Sequence, residues 1–102
     1  MVYLVSIHPV GDYDVWKAEV NRVRAELARF GVTRQWLYRG TDDRNEIMSV
    51  LELPSVEHAE RLMRSAEADI PGLLDRSGLE IYPTFFLGEQ VEVREYSGPP
   101  DV

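Results

Sequence analysis

The chain has 102 residues, 44% of them hydrophobic and 28% charged, which suits one folded domain with a single core and argues against disorder. With 18 acidic against 11 basic side chains the formal charge is -7, which disfavours nucleic acid and anionic membrane surfaces as partners. No cysteine is present, so disulfides, thiolate nucleophiles and cysteine-ligated metals are excluded. No apolar run approaches the roughly 20 residues of a membrane span, and the strand-like start without basic residues predicts a cytoplasmic protein.

Tyr3 to Val10 is rich in branched and aromatic residues and predicts a first strand, with Tyr3, Val5 and Ile7 on one face and Leu4, Ser6 and His8 on the other. Asp12 or Asp14 caps the helix that follows, on which Trp16, Val20, Val23, Leu27 and Phe30 form one apolar stripe. Gly31 stands where that helix needs a left-handed C-terminal residue. Val32 to Gly40 is a second strand, joined through the polar turn Thr41-Asp42-Asp43-Arg44 to a third from Asn45 to Leu53.

Ser55 caps a second helix with Val56, Ala59, Leu62, Met63 and Ala66 on its inner side, and Ile70-Pro71-Gly72 breaks it. Pro71 restarts a short helical turn through Leu73 and Leu74 that ends at Gly78. Leu79 to Leu87 is a fourth strand and Gln90 to Tyr96 a fifth, so residues 1–96 make the domain and residues 97–102 a loose tail.

Strand, helix, strand, strand, helix, strand is a split βαβ arrangement: an α+β fold with both helices on one face of an antiparallel sheet ordered 4-1-3-2. The other face would be bare, yet the third and fourth strands are apolar on both sides. A homodimer through the open sheet face is therefore expected, with the fifth strand available to reach across.

The topology brings the ends of the first two strands and the starts of the next two to one rim, beside the opening turn of the first helix. That rim collects His8, Trp16, Tyr38, Arg39, Asn45, Glu46, Glu80 and Tyr82. His8 can move a proton near neutral pH, Arg39 can hold an enolate or carboxylate, and Tyr38 or Asn45 can hydrogen-bond a carbonyl. Trp16, Trp36, Tyr82 and Phe86 offer aromatic surface for a flat substrate.

Each residue also has a structural reading. His8 beside Asp12 would fix the strand–helix corner, Trp16 would be core, and Arg39 would pair with Asp42, Asp43 or Glu46. His58 reads as a surface residue, and Lys17 to Glu26 as a solvated face with close charge pairs. Two distant histidines without a third ligand give no metal site, no histidine lies midway along the second helix for haem, and no cofactor is expected.

His8-Pro9-Val10-Gly11-Asp12-Tyr13-Asp14-Val15-Trp16, Leu37-Tyr38-Arg39 and Asp42-Asp43-Arg44-Asn45-Glu46 resemble the antibiotic biosynthesis monooxygenase group of ferredoxin-like, dimeric α/β-barrel proteins. Arg44 departs from the proline often found there. The resemblance implies a cofactor-independent monooxygenase or polyketide cyclase acting on an aromatic or polyketide-like molecule. The alternative is a dimeric ligand-binding or regulatory protein without catalysis.

Overall fold

Val2–Pro9 (β1), Arg34–Arg39 (β2), Glu46–Leu53 (β3) and Thr84–Gly88 (β4) form one antiparallel sheet in the order β2-β3-β1-β4. The computed structural model describes residues 1–68 and 84–101. The helix break at residues 70–72, the short turn after Pro71, the first part of the fourth strand, and with it Glu80 and Tyr82, lie outside the described residues.

The register fixes the two faces. His8 lies across from Ile47 and Leu4 from Leu51, while Arg39 also pairs with Ile47 and Leu37 with Ser49. One face therefore carries Val2, Leu4, Ser6 and His8 together with Ile47, Leu51, Leu53, Leu37 and Arg39. The opposite face carries Tyr3, Val5 and Ile7 with Met48, Val50, Glu52, Arg34, Trp36, Tyr38 and Phe86.

The helices cover the first face. Asp12 caps Tyr13–Arg22 (α1): its Oδ1 accepts the N–H bonds of Asp14 and Val15 at 2.9 and 3.2 Å. The single helix expected here is two, because Val23 departs from helical geometry (φ -89°, ψ 5°) before Arg24–Arg29 (α2). Hydrogen bonds from Val23 N–H to Glu19 O and from Leu27 N–H to Val23 O bridge the joint, so the stripe continues. Bending there lets Trp16 and Leu27 reach different parts of a twisted sheet.

Gly31 ends α2 with φ 102°. Val32 N–H reaches Leu27 O and Gly31 N–H reaches Ala28 O, both at 3.1 Å, which is the Schellman pattern. Val56–Ala68 (α3) begins at Ser55, whose Oγ accepts the His58 N–H at 3.3 Å. Ala59 and Leu62 of α3 pack on Val2, Leu4 and Leu53 to form the main core, but Val56 is exposed. A second cluster joins Val10, Trp16 and Ile47.

His58 is half-buried and not a surface residue: its Nδ1 lies 2.7 Å from Ser55 Oγ, and its ring sits against Gly31. The expected fifth strand, Gln90 to Tyr96, pairs with no strand among the described residues of the same chain. Val91 is 97% exposed and Val93 64%, because no strand edge among the described residues receives them. Among the described residues no helix is long and apolar enough to cross a membrane.

Candidate functional site

On the helix-covered face, β1 delivers His8 beneath the first turns of α1. Trp16 meets the imidazole edge-on, with ring centroids 6.0 Å apart, and Tyr13 lies 5.7 Å from Trp16. The Arg39 guanidinium stacks 3.8 Å from the centre of the Tyr13 ring, and its Nε donates to the Arg44 carbonyl. Neither contact is the rim salt bridge expected for this arginine. Asn45 closes the same end through its carbonyl, which accepts the Val10 N–H at 2.8 Å.

His8 is 5% exposed, and its Nδ1 has no hydrogen-bond partner among the described residues. Burial pushes its pKa below the ordinary 6.5, a shift only opposed by a hydrogen bond to the Pro9 backbone, so the ring is neutral at pH 7. Asp12 is not its partner in the expected strand–helix corner, since the carboxylate caps α1 instead.

The predicted rim residues therefore divide between two faces. His8, Trp16 and Arg39 come together under the helices, with Asn45 at the adjoining turn. Trp36, Tyr38 and Phe86 lie on the open face, where with Tyr3, Arg34 and Val50 they line a cavity of about 410 Å³. The sequence predicts one rim, but Tyr38 and Arg39 are neighbours in a strand and so point to opposite sides of the sheet.

A polar network that the sequence does not predict lies on that open face. The Glu52 carboxylate accepts from Tyr3 Oη at 2.9 Å, Thr33 Oγ1 at 2.8 Å, and Arg34 Nε and Nη2 at 3.0 and 2.7 Å. The Arg34 hydrogen bond, followed by that of Thr33, lowers the Glu52 pKa to about 2. Arg34 also lies 4.9 Å over Trp36, which is 6.1 Å from Tyr3. Strand alternation puts Tyr3, Glu52 and Arg34 on one face, but only the observed register places them side by side.

A further groove of about 460 Å³ lies between the two N-terminal helices and β2. Lys17, Asn21, Arg24, Arg34 and Gln35 border it, over Val20, Leu27 and Leu37. Among the described residues, no three His, Asp or Glu side chains converge as a metal ion would require.

A four-stranded antiparallel sheet of this order, covered by helices on one side, defines a ferredoxin-like α+β protein. No protein-family model matches the sequence, and no curated protein does. Solved structures do match. A candidate antibiotic biosynthesis monooxygenase from Bordetella bronchiseptica aligns with TM-score 0.74 at 17% identity, over 89% of this chain and 97% of that one. SnoaB, a cofactor-independent oxygenase from Streptomyces nogalater, aligns with TM-score 0.72 at 19% identity, over 90% and 94%. A dimeric ferredoxin-like protein from an uncultured marine organism aligns with TM-score 0.64 at 11% identity, over 94% and 100%. The chain thus has the fold of the antibiotic biosynthesis monooxygenases that its sequence resembles.

Proposed function

We propose that the protein is a small-molecule enzyme of aromatic or polyketide-type metabolism, a cofactor-independent monooxygenase or cyclase whose reaction centres on His8. The observation that carries this reading is the buried, neutral imidazole whose Nδ1 has no partner among the described residues. Leaving a buried polar atom unsatisfied costs about 1–3 kcal/mol, which a substrate hydroxyl could recover. The structural likeness to SnoaB supports the reaction class.

A neutral imidazole can take a proton from an acidic phenol or ring methylene, and Arg39, which like His8 registers with Ile47 on the helix-covered face, would hold the resulting oxyanion. For oxygenation, the electron-rich carbon then reacts with dioxygen directly. A methylene becomes a carbonyl, one oxygen atom enters the product, and the other leaves as water with the two hydrogens, so no external reductant is needed. For cyclisation, the same enolate carbon attacks a carbonyl of the substrate and the proton returns to the new alkoxide.

The open face fits a homodimer. Ile7, Tyr38 and Phe86 are exposed there at 47%, 50% and 66%, and the Val91–Val93 segment is free to reach a second copy. Arg34 and Glu52 neutralise each other, so covering them leaves no unpaired charge. On this reading Trp36, Tyr38 and Phe86 serve the interface rather than the reacting centre.

The test is turnover of a ring-hydroxylated anthrone or quinol, followed by oxygen uptake and product mass. Uptake with a gain of one oxygen and loss of two hydrogens identifies oxygenation, while a product of unchanged mass identifies cyclisation. His8→Ala should lower kcat by about 100-fold or more. Equal turnover in the parent, His8→Ala and Arg39→Ala would remove the proposed site.

A further inference from the structure

We propose that the groove beneath α1 and α2 binds an organic carboxylate with an apolar or aromatic body. At about 460 Å³ the groove has the size of a small-ligand site. None of the residues lining it is acidic, although the chain carries 18 Asp and Glu residues. Val20, Leu27 and Leu37 supply the apolar floor, and Lys17 and Arg24 flank it from the helices.

These two cations differ from their neighbours. Arg22 is paired with Glu19 and Arg34 with Glu52. Lys17 instead donates to the neutral Asn21 carboxamide at 2.8 Å, and no acidic partner meets Arg24 among the described residues. The face of closely paired charges expected from the sequence therefore fails at these two positions. They stand seven residues apart along one side of the helical stretch, with Asn21 between them, so both border the same groove.

Arg34 borders both this groove and the open-face cavity, but two hydrogen bonds to Glu52 already hold it, so Lys17 and Arg24 are the cations left to a ligand in the groove. Val20 and Leu37 also pack against the Val10–Trp16–Ile47 cluster beside His8. The carboxylate would then be the distal end of the substrate, and this last step rests on the functional reading above.

The experiment compares 2-naphthoate with its neutral analogue 2-naphthalenemethanol, each titrated calorimetrically at low and high salt. The parent should bind the acid about fivefold more tightly than the alcohol at low salt, the gain expected from two exposed cations, and the gap should shrink at high salt. K17Q/R24Q should abolish the preference. R61Q/R64Q, which removes as much charge from α3, should keep it.

His8→Ala should also keep the preference. That result alongside unchanged turnover would sink the catalytic reading but not this one. Equal affinity for acid and alcohol in the parent, a preference that survives K17Q/R24Q, or one that disappears with R61Q/R64Q would each overturn the proposal.

Discussion

Acidification should destabilise this protein through His8 in a way that can be isolated. The imidazole has an ordinary pKa of 6.5 when unfolded, and burial lowers it in the fold against a weaker opposing hydrogen bond to the Pro9 backbone. Between the folded value and 6.5 the unfolded chain binds the extra proton, so stability is complete above 6.5 and falls as the pH drops below it. For a ring that stays neutral in the fold, going from pH 7.5 to 5.5 costs at most about 1.4 kcal/mol, from RT ln(1 + 10). The assay is urea unfolding of the parent and His8→Leu at both pH values and equal protein concentration. Contributions from groups common to the two proteins cancel in the difference. The parent should lose up to about 1.4 kcal/mol more than the variant. Equal losses would refute the buried neutral imidazole, and a smaller loss in the parent would mean that the charged ring is the stabilised form.

Two other substitutions probe the scaffold around the site. Gly31→Ala should destabilise by about 1–3 kcal/mol in thermal or urea melts, since φ is 102° and the new Cβ would lie 2.7 Å from His58 Cδ2. Adding His58→Ala should restore the part due to the clash and leave the part due to backbone strain. Glu52→Gln should weaken the fold at neutral pH by loosening the Tyr3, Thr33 and Arg34 contacts. Because its folded pKa is about 2, below the ordinary 4.5, the carboxylate stabilises above 4.5 and loses that advantage as the pH falls toward 2. Paired acid titrations followed by circular dichroism should therefore converge near pH 2; a constant gap would show that the charge of Glu52 is not what matters.

Much of the fold was legible because its signals are local and strong. The apolar stripe from Trp16 to Phe30, the Asp12 cap and the glycine at position 31 each specify geometry through neighbours in sequence. The hairpin between β2 and β3 needed only a polar turn between two strands, and the Asp43 side chain tightens it by accepting the Asn45 N–H at 3.0 Å. What the sequence could not show was set by contacts between distant segments. The bend at Val23 serves packing against two core clusters, and the Glu52 network depends on a register shared by three strands. The segment from Gln90 to Tyr96 depends on such contacts too: alternating valines can favour extended backbone, but a ladder forms only where another edge accepts it, and among the described residues of one chain none does.

The division of the rim carries further. Tyr38 and Arg39 are consecutive in β2, yet Arg39 reaches Tyr13 under the helices while Tyr38 borders the cavity on the other side. A single small substrate within one chain cannot touch His8 and the Tyr38 side chain at once, since the sheet stands between them. Tyr38 is half exposed and can be covered only by something that approaches the open face. If that something is a second copy, the two faces have separate tasks: the helix side receives the small molecule, and the other side joins the subunits. Tyr38→Phe should then leave turnover nearly unchanged, whereas a charged residue at Phe86 should weaken dimerisation first, as read by sedimentation across a dilution series. A Tyr38→Phe enzyme with kcat reduced as far as His8→Ala would mean that the reacting centre lies on the open face, and the assignment of the two faces would have to be reversed.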